Sequence, residues 1–169
     1  MPTPKLPPDP LLLKLVRSGL SNKEIARRYG VSHQAVSKKV RALGMRRRPV
    51  SDEVNAGLRQ RWDIYSNPGK DSHHSRHSAK ALKAWLRYRL GDPKLSDKQL
   101  TLAKTWIREL RERDEVLCYD RDLPDGWYYR PRRPEDDRLI VDWPADLPFP
   151  DERFRKALEL PTDSELERC

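Results

Sequence analysis

Hydrophobic residues near the start of the chain recur at intervals of three and four residues, a spacing that predicts short amphipathic helices. The first helix is expected to start at Pro10 or Leu11 and to end at Gly19, because glycine readily adopts the left-handed conformation that closes a helix. Residues 1–10 ahead of it are rich in proline and predict a flexible, extended arm.

Two capping signals predict the next helices. Ser21 and Glu24 form an S-x-x-E capping box, which starts a second helix, and Gly30 ends it. Ser32 can cap a third helix in a similar way. Residues 11–48 are therefore expected to form one small domain of three helices.

The spacing of small and aliphatic residues across the second and third helices is typical of a helix-turn-helix. Ala26 lies where the helices would touch, Gly30 lies in the turn, and Val31 and Val36 fix the third helix. The segment resembles the helix-turn-helix of phage repressors and of invertase-type recombinases. Lys39 departs from the pattern, since this position is often apolar in repressors. An ordinary helical hairpin is the alternative interpretation.

If the third helix enters the major groove, its outward side chains are the candidates for reading base pairs. They are His33, Gln34, Ser37, Lys38 and Arg41. Gln34 can pair with adenine through two hydrogen bonds, whereas Lys38 and Arg41 can donate to guanine or to phosphate. A solvated surface imidazole is the alternative for His33.

Other residues of this region suit contacts to the DNA backbone. Ser21 and Ser32, with the helix amides beside them, can donate to phosphate and set the register of the protein on the duplex. The run Arg46, Arg47 and Arg48 follows the third helix and can track a backbone or lie in a narrow minor groove. A solvated tail is the alternative for these arginines.

Residues 50–67 predict a further helix with one narrow hydrophobic stripe, formed by Val54, Leu58, Trp62 and Tyr65. The stripe is too narrow for the helix to be buried on every side. We therefore expect a linker helix between two modules. The alternative is a fourth helix of one larger domain.

Another helix is predicted from Ser75 to Leu90, because leucine and tryptophan recur on one face and Gly91 follows. The opposite face is basic and has no interleaved carboxylate, which predicts contacts to a phosphate backbone. Its four cations are Arg76, Lys80, Lys83 and Arg87. A merely solvated face is the alternative.

The rest of the chain changes from helical to strand periodicity. A second capping box, with serine and glutamine, starts one more helix, and β-rich runs then flank the turn sequence RDLPDG. The segment RLIVDW offers a third strand. This pattern predicts a small α+β domain over residues 70–160 that resembles a winged helix, with Arg130 and Arg132 at an edge that can contact the DNA backbone. Residues 161–169 are expected to be a tail.

Together these elements predict a mainly α protein, with an N-terminal helix-turn-helix domain, a linker helix, and a small C-terminal α+β domain with a β-hairpin. The chain holds 35 Lys and Arg against 26 Asp and Glu, although residues 134–169 contain 5 basic and 11 acidic side chains. The strongly positive remainder favours a polyanion partner such as nucleic acid, or an anionic membrane surface. No apolar run is long enough to span a membrane, so we expect a soluble, cytoplasmic protein.

Candidate metal ligands are few. Cys118 and Cys169 have no CxxC spacing, which argues against a cysteine zinc site and a disulfide framework. His73, His74 and His77 lack a further ligand nearby and are expected to be polar residues near DNA. We therefore expect no metal, no cofactor and no small-molecule substrate.

Over its whole length the sequence resembles the immunity repressors of temperate mycobacteriophages. Four segments carry the resemblance: GLSNKEIARRYGVSHQAVSKK, HSAKALKAWLRYRLG, LSDKQL and the hairpin VLCYD with GWYYRPRRPEDD. The resemblance implies a transcriptional repressor that maintains lysogeny and superinfection immunity by binding short, asymmetric operator or stoperator sites on double-stranded DNA. It also implies a monomer that grips one site through both domains, in the nucleoid of a bacterial host, without a small-molecule cofactor.

Two other classes of protein share some of these features. A phage terminase small subunit also starts with a helix-turn-helix, but it would assemble into rings. A metal-dependent nuclease or recombinase would use Asp125, Asp136 and Asp137, although Arg138 stands where such sites usually carry lysine. We do not expect an enzyme. A dimer through the C-terminal hairpin is the alternative to the monomer.

Overall fold

The structure, a computed structural model, describes residues 5–45, 48–67 and 71–168. The chain divides into two compact units, with the boundary between Arg47 and Arg48. The described residues contain eight α-helices and one two-stranded antiparallel hairpin. The prediction of a mainly α fold with a small β-hairpin is confirmed.

The first unit consists of three helices: α1 (Asp9–Arg17), α2 (Asn22–Tyr29) and α3 (His33–Ala42). The predicted capping box forms, because the Ser21 hydroxyl accepts from the Glu24 amide at 3.2 Å and the Glu24 carboxylate accepts from the Ser21 amide at 2.7 Å. Gly30 ends α2 with a φ of 65°. These local contacts set the start of α2 and the turn into α3.

A small hydrophobic core holds these three helices together. Its buried members in the described part of the unit are Leu12, Leu15, Val16, Ile25, Ala26, Val36 and Val40. The predicted arm over residues 1–10 needs a correction, since α1 already starts at Asp9. Leu6 packs against the core and Pro7 is buried, so residues 5–8 belong to the folded unit.

The second unit contains the other regular elements. Its helices are α4 (Pro49–Arg61), α5 (His77–Arg89), α6 (Asp97–Glu112), α7 (Glu152–Ala157) and α8 (Asp163–Glu167). Its strands are β1 (Glu115–Tyr119) and β2 (Trp127–Pro131). Single 3-10 turns lie at His73–Ser75 and Pro134–Asp136.

Helix α5 lies at the centre of this unit and packs against α4, α6 and α7. Val54 and Leu58 of α4 are each 1% exposed and share one core with α5. The predicted linker helix over residues 50–67 is therefore corrected, because α4 is an integral helix of the larger unit and ends at Arg61. Helix α5 covers the narrow hydrophobic stripe of α4, so α4 is packed into the unit on that one face.

The hairpin pairs β1 with β2 in antiparallel register, with Leu117 opposite Tyr129. The segment RLIVDW, expected as a third strand, forms only isolated bridges. Val141 pairs in parallel with Leu117, and Leu139 pairs with Glu159. This segment therefore lies between the hairpin and the C-terminal residues without extending the sheet.

The predicted C-terminal tail is also corrected. Thr162 and Glu165 form a capping box that starts α8, with the Glu165 amide 3.4 Å from the Thr162 hydroxyl. Glu165 also pairs with Arg89 of α5 at 3.0 Å. Leu166 packs against the main core. The fold of the second unit thus continues through α8.

Two carboxyl groups with little exposure predict that the second unit loses stability in acid. Burial opposes ionisation of Asp92, but hydrogen bonds from the Lys94 amide and the Arg87 guanidinium outweigh it and lower the pKa of this carboxyl. The guanidinium of Arg130 likewise lowers the pKa of Asp136. The unfolded chain therefore takes up these protons at a higher pH than the folded chain does. Their stabilising contribution should be present above about pH 4 and lost as the pH falls below it.

We expect the urea midpoint of the parent protein to drop between about pH 5 and pH 3, as measured by circular dichroism. In Asp92→Asn the drop over this interval should be smaller, because the proton that Asp92 takes up on unfolding is gone. A midpoint that stays constant over the interval in the parent would contradict this account.

Candidate nucleic-acid interface

The residues predicted to read bases lie on the solvent-facing side of α3. Four of them are exposed and the fifth, a serine, is half-buried: His33, Gln34, Lys38, Arg41 and Ser37. Val36 and Val40, on the other side of the helix, are 0% and 3% exposed and fix its rotation. Within the described ranges no side chain pairs with the four exposed residues, so their polar groups are available to a ligand.

The two serines predicted to contact phosphate both serve as helix caps. Ser32 Oγ accepts from the Ala35 amide at 3.2 Å, just as Ser21 Oγ accepts from Glu24. A capping hydroxyl keeps its own hydrogen, which can still donate to a phosphate. Hydrogen bonds from Ser21 lower the pKa of Glu24, and this nearby negative charge disfavours a phosphate. Ser32 is the better position, because α3 has no acidic residue in its first turn.

Lys39, which departs from the usual helix-turn-helix pattern, has a structural partner. Its Nζ lies 3.0 Å from a carboxylate oxygen of Asp9, at the start of α1. The ion pair links α3 to α1. Both side chains are more than one third exposed, so the pair orients the lysine more than it stabilises the fold.

Charge separates the two units sharply. Residues 1–47 contain 11 Lys and Arg against 2 acidic residues, a net charge of +9 that equals the net charge of the whole chain. In the second unit, 24 Lys and Arg are balanced by 24 Asp and Glu. The first unit therefore generates the field that attracts polyanions.

Three exposed cations on α2, namely Lys23, Arg27 and Arg28, were not among the predicted contacts. They enlarge the positive surface of the first unit beyond α3. The sequence signal that points to them is the concentration of Lys and Arg over residues 21–40.

The arginine run after α3 is only partly described. Arg46 and Arg47 lie outside the described residues. Arg48 is exposed and directly precedes α4, in the second unit. A backbone contact by these three residues stays a prediction.

The basic stripe predicted on α5 is not a row of free cations. Arg76 and Arg87 each pair with an aspartate, at 3.4 and 2.6 Å. Lys83 is half-buried, and Lys80 is exposed. The stripe is thus corrected to one exposed lysine and three cations with contacts inside the unit, because α5 is central rather than peripheral.

Arg130 is the centre of an ion-pair network. Its guanidinium donates to both carboxylate oxygens of Asp136, at 2.6 and 2.7 Å, and to Asp142 at 2.9 Å. Asp142 also accepts from Arg61 of α4 at 2.8 Å. The Arg130 side chain is 15% exposed. The expectation that it contacts DNA is therefore corrected, since its donors already hold β2 to the segments that follow.

Arg132 is engaged in the same manner. It donates to the Asp114 carboxylate at 3.0 Å and to the carbonyl oxygens of Asp137 and Leu139 at 2.9 and 2.7 Å. With a side chain that is 12% exposed, it closes the end of the hairpin instead of offering an edge to DNA.

No group of three or more potential metal ligands comes together among the described residues. His73 is buried, with Nδ1 2.9 Å from the Tyr119 hydroxyl and Nε2 3.1 Å from the Pro124 carbonyl oxygen. Of the three aspartates considered for a nuclease, Asp136 is buried against Arg130 and the other two are exposed.

No protein-family model matches the chain, and no curated protein matches it either. No helix in the described part of the chain is long and apolar enough to cross a membrane. The resemblance of the sequence to phage immunity repressors stays a prediction, and the geometry of α3 is the main guide to function.

Proposed function

We propose that the chain binds double-stranded DNA in a sequence-specific manner, with α3 in the major groove. One observation carries the proposal: among the described residues, the outward polar face of α3 lacks partners, and it belongs to the unit that holds the entire net charge. Phosphates attract such a unit to any DNA, and contacts to base edges then select a sequence.

Roles within α3 follow from side-chain chemistry. Gln34, in the first turn of the helix, can donate to and accept from one adenine. Lys38 and Arg41 lie about one and two turns further along and can donate to guanine or to phosphate. The Ser32 hydroxyl can donate to the phosphate at the start of the helix and set its register.

The biological role that we propose is repression of transcription in a temperate phage, which maintains lysogeny and superinfection immunity. The resemblance of the sequence to the immunity repressors of temperate mycobacteriophages supports this role. A protein in the major groove at a promoter obstructs polymerase sterically, so occupancy of short operator sites is sufficient for repression.

In this proposal the first unit makes most of the DNA contacts, and the second unit contributes fewer of them. Its charges balance, and Arg130 and Arg132 are committed to contacts within the fold. We therefore assign base reading, and most of the salt dependence of binding, to the first unit.

Replacing Gln34 by alanine should test base reading directly. A preferred site would first be selected from random duplexes with the parent protein. On that site the variant should lose about 1–3 kcal/mol of binding free energy, because adenine loses its two-bond partner. On a scrambled duplex the loss should be close to zero. Fluorescence anisotropy at one fixed salt concentration would measure both affinities.

Gln60→Ala is the matched control, since this glutamine is exposed on α4 of the second unit. Its affinity for both duplexes should equal that of the parent. Equal losses on the selected and the scrambled duplex in Gln34→Ala would show that Gln34 does not read a base.

A further inference from the structure

A basic cleft opens in the second unit between α4, α5 and the turn His73–Ser75. It has a volume of about 320 Å³ and is lined by Asn55, Leu58, Arg59, Ile64, His74 and Lys83. Three of these side chains are basic and none is acidic. The lining of the cleft is therefore positively charged, whereas the positive and negative charges of the unit as a whole balance.

Lys83 carries a positive charge into this cleft without a carboxylate partner. Its Nζ lies 2.9 Å from His74 Nδ1, and no described carboxylate comes within 4.0 Å of it. Burial, followed by the nearby charge of Arg59, lowers the pKa of Lys83. A cation that is half-buried without a counter-charge is unfavourable, and a bound anion would remove that cost.

His74 holds the lysine in place. Burial and then the charge of Lys83 lower the pKa of this imidazole, which favours its neutral form. Because an ammonium group can only donate, Nδ1 must accept the hydrogen bond from Lys83. His74 is thus a positioning residue, and two ammonium hydrogens of Lys83 are left for another acceptor.

Arg59 is oriented by its own helix. Its Nε donates to the Asn55 carbonyl oxygen at 3.2 Å. Within the described ranges its two terminal nitrogens have no acceptor. The guanidinium lines the same cleft as Lys83, and its positive charge acts on the Lys83 ammonium group.

We propose that this cleft binds the phosphate group of a phosphate ester, with Lys83 and Arg59 as its donors. A tetrahedral oxyanion can accept from an ammonium group and from the fork of a guanidinium at the same time. Leu58 and Ile64 also line the cleft, and apolar surroundings strengthen charged hydrogen bonds. The cleft is larger than one phosphate group, so it has room for part of the molecule that carries it.

The site lies outside α3 and does not depend on the function proposed above. Two sources can supply the same chemistry, a free nucleotide and the backbone of a nucleic acid. Full-length protein should first be titrated with inorganic phosphate at constant ionic strength, with ¹⁵N–¹H spectra as the readout. Saturable shifts confined to residues of α4, α5 and the His73–Ser75 turn are expected.

Lys83→Met and Arg59→Gln should each weaken phosphate binding by about tenfold or more, because each removes a charged donor. Lys80→Met is the matched control, since Lys80 lies on the same helix, is exposed and does not line the cleft. It should bind phosphate like the parent. In the absence of phosphate, Lys83→Met should be at least as stable as the parent, because an uncompensated cation is gone.

Two further measurements show whether the bound phosphate group belongs to a nucleotide or to a nucleic-acid backbone. Tighter binding of adenosine monophosphate than of inorganic phosphate, with no competition from duplex DNA, would identify a nucleotide site. A plot of log DNA affinity against log salt that flattens by about 0.9 in Lys83→Met would identify a backbone phosphate. The proposal is overturned if the parent shows no saturable response to phosphate, or if Lys83→Met and Lys80→Met respond alike.

Discussion

Arg130→Met should be less stable than the parent protein by about 3–5 kcal/mol. The guanidinium makes three short hydrogen bonds to Asp136 and Asp142, and the Asp136 side chain is only 5% exposed. Methionine can fill much of the space, but it leaves the Asp136 carboxylate buried with one amide donor, that of Arg133. The cost arises mainly from that unpaired charge rather than from lost packing.

Urea unfolding followed by circular dichroism would measure the loss. Arg108→Met is the control, because Arg108 is exposed on α6. Its stability should stay within about 0.5 kcal/mol of the parent. The double variant Arg130→Met/Asp136→Leu should recover much of the stability, since both buried charges are removed together. If the double variant is as unstable as Arg130→Met, the charge of Asp136 is not the cause.

Gly126→Ala should cost about 2–4 kcal/mol of stability, from a strained backbone and from overpacking. Gly126 has a φ of +72°, and an added Cβ would lie 2.3 Å from His73 Nδ1 and 2.6 Å from the Tyr119 ring. His73 cannot easily move away. Its Nε2 donates to the Pro124 carbonyl oxygen and its Nδ1 is hydrogen-bonded to the Tyr119 hydroxyl, so a shift of the ring breaks both bonds.

Gly91→Ala separates the two causes. Gly91 has nearly the same φ, +74°, but an added Cβ there meets nothing within 4 Å. It should therefore lose only about 1 kcal/mol, the cost of the backbone conformation alone. The difference between the urea midpoints of the two variants measures the steric contact. Equal midpoints would mean that His73 and Tyr119 yield without cost.

Local capping signals predicted the starts of α2, α3 and α6, because a cap involves residues only three apart. Ser21 and Ser32 cap α2 and α3 where the sequence placed them, and Ser96 belongs to the predicted box of serine and glutamine that starts α6. The identity of α4 was missed for the opposite reason. Its narrow stripe, with Val54 and Leu58, looks insufficient until α5 covers it, and that pairing is not visible within α4 itself.

The contrast between local signals and tertiary contacts also explains which candidate DNA contacts were predicted correctly as exposed and which were not. The outward face of α3 could be predicted because helical period and burial agree there. Whether Arg76 and Arg130 are free to contact DNA could not be predicted from the segments that contain them. Asp125, which pairs with Arg76, comes from the hairpin turn, and Asp142, which pairs with Arg130, lies beyond β2. Ionic partners supplied by tertiary structure turn a basic stripe into a fixed part of the fold.

The charge difference between the two units also shapes how the chain meets a polyanion. One unit carries +9 and the other is neutral overall, so a distant polyanion pulls on one part of the chain far more than on the other. This attraction acts before contact, so it favours collisions in which the N-terminal unit meets the polyanion first. For the DNA binding that we propose, productive encounters should become more frequent at low ionic strength, while the second unit adds mass without adding long-range attraction.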